Sequence, residues 1–182
     1  MPRCFHCSNP LPLLARSHAQ YCSPACRAAA ARQRGKEAER SPIPARMRTA
    51  RRWVRLTRAG IPMTPQGHAA TTPDTWTTHT QAERSSIGGL GFVVGAGIVC
   101  LLVRGDAGLL LNQLPITYAE ATASCVRVWG DGELRPQRVR GPEFDVEVLA
   151  PGRYAPVTGV PHSDAPNILA DLNRVPFLNA GR

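Results

Sequence analysis

Four cysteines sit where metal chemistry would need them. Cys4-Phe-His-Cys7 is a CxxC pair, and after fourteen intervening residues Cys22-Ser-Pro-Ala-Cys26 is a CxxxC pair. Each pair offers two sulfurs from one tight turn, and a short loop can bring the turns together. Four thiolates at this spacing suit a tetrahedral zinc ion. They fill its shell, so His6 and His18 are bystanders and no position is left open for a substrate. The zinc would be structural. The competing reading is a set of free buried thiols or a redox pair.

The second cysteine pair carries its own positioning device. Ser23 can cap a helix, Pro24 suits its first position, and Ala25 to Ala31 propagate it. Cys26 would then ligate from a first helical turn, as in treble-clef zinc knuckles. The run YCSPACRAAAARQR resembles knuckles of actinobacterial and phage proteins. Further along, Arg27 and Arg34 share one face, while Arg32, Lys36 and Arg40 form an i, i+4 stripe on another. A charged helix held by a metal site could contact a phosphate backbone of DNA or RNA. The plainer alternative is a solvated helix.

The charge is uneven. The 182-residue chain has a net charge of +9, but residues 1–60 hold 13 basic residues against Glu37 and Glu39. Residues 61–182 hold nine basic and 11 acidic residues. A basic arm on a near-neutral domain points to a polyanionic partner. All basic residues but Lys36 are arginines, whose guanidinium forks onto phosphate oxygens. An apolar content of 43% excludes a wholly disordered chain. Seventeen prolines and 16 glycines argue against a helical bundle. Met1-Pro2-Arg3-Cys4 does not lead into the apolar segment of a secretory signal, so a reducing, cytoplasmic setting is expected.

Ser41-Pro-Ile-Pro44 should end the helix, placing a linker at 41–50 after a knuckle at 1–40. Residues 51–176 read as one α+β domain, followed by a tail at 177–182. Strands are expected at 51–56, 90–94, 97–103, 126–129, 144–148 and 154–158. Short helices are expected near 74–83 and 165–173. Gly95-Ala-Gly97 and Gly130-Asp-Gly132 read as turns. Ile87 to Val103 is uncharged for 17 residues, which raises a membrane span as a rival. Five glycines and the short length favour buried strands instead, and no membrane partner is expected. Cys100 and Cys125 read as small core residues, and His68, His79 and His162 as surface residues. There is no GxxxxGK[ST] loop and no serine-nucleophile elbow.

In order, the segments RRWVRL, TTPDTWTTHTQA, GLGFVVGAGIVC, VRVWGDGEL, FDVEVLAPGRYAPVTG and ILADL resemble the primase-polymerase domain of phage and prophage replication proteins. This domain belongs to the archaeo-eukaryotic primase superfamily, and the resemblance covers about residues 45–175. It implies a nucleotidyltransferase with an Asp-x-Asp strand end, a histidine before Trp-Gly, and a later acid before the GRY segment. The carboxylates of such a site hold magnesium or manganese. Here Leu102 and Arg104 stand at the two aspartate positions, and Arg127 at the histidine position. Only Glu147 keeps its acid, and Asp106 is the one nearby carboxylate that could substitute. The resemblance therefore implies a degenerate form, preceded by a zinc knuckle.

The expected function is a catalytically inactive, nucleic-acid-binding protein of mobile-element type. Its contacts would be Arg27, Arg32, Arg34, Lys36, Arg51, Arg52, Arg104, Arg127 and Arg153. Arg104 and Arg127 are expected either to clamp a phosphate without metal or to point idly at solvent. Two other readings stand beside it. In one, Asp106 and Glu147 still serve an active enzyme with magnesium or manganese. In the other, the knuckle is an adaptor for a replication-protein partner.

Overall fold

The computed structural model describes residues 3–12, 19–162 and 165–179, without the side chains of residues 33–40. The chain forms two compact units, Met1–Ser41 and Pro42–Arg182. Their secondary structure is mixed α+β.

The first unit is built on α1, Pro24–Arg40. Ser23 caps it as its type suggests: its Oγ accepts from the Cys26 amide at 3.1 Å. The N-terminal knuckle closes on itself, with the Cys4 amide donating to Asn9 O at 2.8 Å and the Phe5 amide donating to Gln20 O at 3.0 Å. Among its described residues only Cys4, Leu11 and Ala30 are buried apolar groups. Three buried apolar groups are far too few to offset the chain entropy of those described residues.

The second unit holds two sheets. The first runs in the order β2-β1-β3-β9 and is antiparallel, from β1 (Trp53–Leu56), β2 (Pro62–Met63), β3 (Leu90–Val93) and β9 (Tyr154–Val157). The second runs in the order β10-β6-β4-β8-β7. Its strands are β4 (Ile98–Gly105), β6 (Val126–Asp131), β7 (Gln137–Arg140), β8 (Phe144–Val148) and β10 (Ala170–Asp171). β5 (Ala119–Ala121) also pairs with β6. Three short helices complete the unit: α2 (Ala45–Thr49), α3 (His79–Ser85) and α4 (Ala107–Leu111).

β4 lies in the middle of its sheet and its first half, 98–101, is covered on both faces, so it starts as a continuous apolar run. Its Leu101 and Val103 pack with Val128, Val146, Leu110 and Leu172 on one side. Its Ile98 and Cys100 pack with Trp53, Phe92 and Trp129 on the other, between the sheets. No helix among the described residues is long and apolar enough to cross a membrane.

Several expectations are corrected. The stretch 41–50 is not a linker beyond its first residue. Residues 45–49 form α2, and Ile43 and Met47 are buried in the inter-sheet core. Two prolines stop α1 but leave apolar residues that the core can use. The Trp53 indole donates to Met47 O at 2.8 Å and locks α2 to β1. Residues 165–173 do not form a helix; β10 and a 3-10 turn at Leu172–Arg174 stand there. The tail is also partly folded, with Leu178 buried. The strands around Gly95-Ala-Gly97 enter different sheets. That turn holds three successive positive φ values, and Cβ atoms on Gly95 and Gly97 would meet Arg52 and Arg46 at 2.8 and 2.7 Å. Gly130 is not a turn residue but lies inside β6. A Cβ there would sit 2.4 Å from Leu172 Cγ, so the glycine makes room for that leucine.

Gly130→Ala should therefore cost about 1–3 kcal/mol through overpacking against Leu172. Thermal unfolding of the purified variant checks it, and the double variant Gly130→Ala with Leu172→Ala should lose less than the sum of the two single losses.

Candidate functional site

The four sulfurs of Cys4, Cys7, Cys22 and Cys26 all lie within 4.8 Å of one another. Cys7 and Cys22 Sγ are 3.6 Å apart, and Cys22 and Cys26 Sγ are 3.4 Å apart. A tetrahedral zinc with bonds of about 2.3 Å needs sulfur edges of about 3.8 Å. The arrangement is compatible with structural zinc. The thiols are inequivalent. The Cys7 backbone N–H, aided by those of Cys22 and His6, draws the Cys4 thiol down to about 6. Hydrogen bonding with the Cys26 and Cys7 thiols pushes Cys22 up to about 12. A metal entering must displace those protons, so loading strengthens as pH rises.

Arg27 and Arg32 are exposed on α1. Arg34 and Lys36 fall on the same helix, with side chains outside the described residues, as His18 is wholly outside them.

In the second unit, register brings the remaining candidates together. Across the sheet, paired residues point to one face. Arg138, Glu147, Leu102, Arg127 and Glu120 make one row across five strands. Arg140, Asp145 and Arg104 make the next row on the same face. Leu102, Arg104, Arg127 and Glu147 are thus neighbours.

Each acid on this face already has a cation. Arg104 lies 3.3 Å from Glu147. Arg138 grips both oxygens of Asp145 through Nε and Nη2. That hydrogen bonding, helped by the charges of Arg138, Arg140 and Arg104, holds Asp145 below the usual carboxylate range. Acidification through that lowered range would protonate Asp145 and remove the stability that the pair supplies at higher pH.

Arg127 does not point to solvent. Its side chain is 13% exposed and faces Glu120, which is wholly buried, at 3.9 Å. Glu120 was not among the sequence candidates. Its carboxylate accepts from Tyr118 Oη at 2.5 Å, Thr158 N at 3.0 Å and Gly159 N at 2.8 Å. Burial, followed by the bond to Glu120, pushes the Tyr118 hydroxyl strongly upward. Glu120 thereby ties β5 to the chain just after β9. An acid in an otherwise apolar Tyr-Ala-Glu-Ala strand was the available signal.

Asp106 does not join Glu147. β4 ends at Gly105, and Asp106 caps α4, accepting from Gly108 N at 3.0 Å and Leu109 N at 3.2 Å. Its own amide donates to Glu143 O, four residues from Glu147, or about 13 Å of strand.

The other basic candidates divide. Arg52 is a strut, donating to Val93 O and Val94 O at 2.7 Å and stacking over Trp76 at 4.5 Å. Its contacts are used by the fold. Arg51 and Arg153 are exposed. His79 is corrected too: it is half-buried against the Trp53 ring, with centroids 4.6 Å apart. Burial holds its pKa down.

No protein-family model matches the chain, and no curated protein matches it.

Glu120→Ala should destabilise the protein by about 3–5 kcal/mol, because it strands the Arg127 charge and two backbone donors. Chemical denaturation measures it. Glu120→Gln should cost less, and an unaltered Glu120→Ala protein would remove the buried node.

Proposed function

We propose that this chain binds nucleic acid electrostatically through a zinc-held basic knuckle, beside a primase-polymerase-like domain that has lost its catalytic metals. The observation that carries this reading is the pairing of Glu147 with Arg104 on a sheet face where a metal clamp would need paired acids. That face holds Arg104, Arg127, Arg138 and Arg140 against Glu120, Asp145 and Glu147. A divalent ion would enter a net cationic surface whose acids are all engaged. Magnesium needs close oxygen ligands, and Leu102 offers none. Asp145 and Glu147 are the nearest pair, and both would first have to release an arginine.

Surface ion pairs of this exposure are worth only about 0–1 kcal/mol. The number and sign of the groups, not the strength of one pair, set this face against a cation. Losing two-metal positioning and charge neutralisation would remove many orders of magnitude from nucleotidyl transfer.

Residues 1–41 hold seven basic and two acidic residues, which supports the knuckle as the anchoring surface. Zinc would supply most of the folding energy there, since the unit buries so little. Phosphate contacts by arginines release counterions, so affinity should fall steeply with salt and depend little on sequence.

Fluorescence anisotropy with labelled DNA and RNA across a salt series checks the binding. Arg27→Gln with Arg32→Gln should lower the log–log salt slope by about two. Zinc chelation should abolish the part of the interaction that Arg27 and Arg32 carry. Binding that ignores salt, or magnesium-dependent nucleotide incorporation lost in Glu147→Ala, would overturn the proposal.

A further inference from the structure

A second cationic feature lies in the Pro42–Arg182 unit, away from the charged sheet face. A cavity of about 440 Å³ opens between the β1–β2 region and α3, lined by Arg51, Thr64, Asp74, Trp76, Gln81 and Arg84 among others. That volume falls in the range of small-ligand sites. Among the described residues, neither Arg51 nor Arg84 has a carboxylate within ion-pair distance. Arg51 donates through Nε to Trp76 O at 3.3 Å, which leaves the ends of its fork unspent.

The walls are fixed before any ligand arrives. The Arg55 guanidinium donates to Thr64 O at 2.7 Å and to Ser85 O at 3.2 Å, joining the two sides. Arg52 stacks on Trp76. Gln81 and Thr78 form a reciprocal cap at the start of α3. Preorganised walls spare a ligand the entropy of ordering them.

We propose that this cavity binds a phosphoryl oxyanion between Arg51 and Arg84. Two unpaired guanidinium groups facing one polar pocket match the forked geometry of phosphate oxygens. Asp74 lines the same cavity, and hydrogen bonding with Thr72 holds its carboxyl below the ordinary range, so it stays ionised. It leaves a net of one positive charge, which matches a singly charged phosphodiester or a monoester anion. The phosphoryl group could belong to a free nucleotide or to a nucleic-acid strand. The site does not depend on the knuckle reading.

Isothermal titration of the full, zinc-loaded chain at low salt tests it with three probes: inorganic phosphate, adenosine 5′-monophosphate and a short single-stranded oligonucleotide. Saturable binding of the nucleotide or the oligonucleotide is expected, and the probe whose binding is lost in Arg51→Gln and Arg84→Gln names the source, since the knuckle also takes an oligonucleotide. Arg84→Gln and Arg51→Gln should each weaken it about tenfold or more, roughly the loss of one charge-assisted contact. Arg58→Gln, an exposed arginine outside the cavity, should not. Asp74→Asn should tighten it. Arg27→Gln with Arg32→Gln should leave phosphate and nucleotide titrations unchanged, which separates this site from the knuckle. No saturable binding by any probe, equal loss in Arg58→Gln, no loss in Arg84→Gln, or weaker binding in Asp74→Asn would overturn the assignment.

Discussion

The register of β4 against β6 and β8 governs the second unit. β4 sits between the other two strands, with Leu102 opposite both Arg127 and Glu147. Because side chains alternate, that register sends Leu101 and Val103 into one core and leaves Leu102 and Arg104 on the other face. A slip of one residue would bury Arg104 and expose Val103. The apolar packing of β4 thus enforces which charged groups meet. Arg104, Arg127 and Glu147 share a face because burial of their neighbours leaves them no other place.

The face is divided by what covers it. Cys100 and Trp129 lie under the first sheet, where Phe92 and Trp129 meet edge to face at 5.7 Å. Farther along the same face the cover ends and charges begin. The most deeply buried of them, Glu120, has four hydrogen-bonding or ionic partners and serves the fold. The exposed ones form weak pairs that leave no spare carboxylate. The knuckle depends on a different constraint: with little apolar area to bury, its geometry converges on four sulfurs.

Much of this was legible from residue types. The cysteine spacing, the Ser23–Pro24 helix start and most of the long strands follow from local chemistry that tertiary packing leaves alone. The failures have tertiary causes. Residues 41–50 look like a proline-broken linker until Met47 finds its place beneath Trp53. Gly130 looks like a turn because nothing local announces that Leu172 will lie over it. Glu120 drew no notice in the sequence, since its backbone partners Thr158 and Gly159 are distant in the chain. Asp106 looked able to replace a missing ligand, but a cap is a local demand that ties its oxygen to α4.

The central claim is that the open sheet face holds no site for a catalytic divalent ion. Titrating Mn²⁺ into the zinc-loaded chain, with the free-ion electron paramagnetic resonance signal as readout, tests it most directly. The account predicts that the signal rises as it does in buffer, through and beyond one equivalent. A stoichiometric loss of signal that disappears in Glu147→Ala or Asp145→Ala would contradict it.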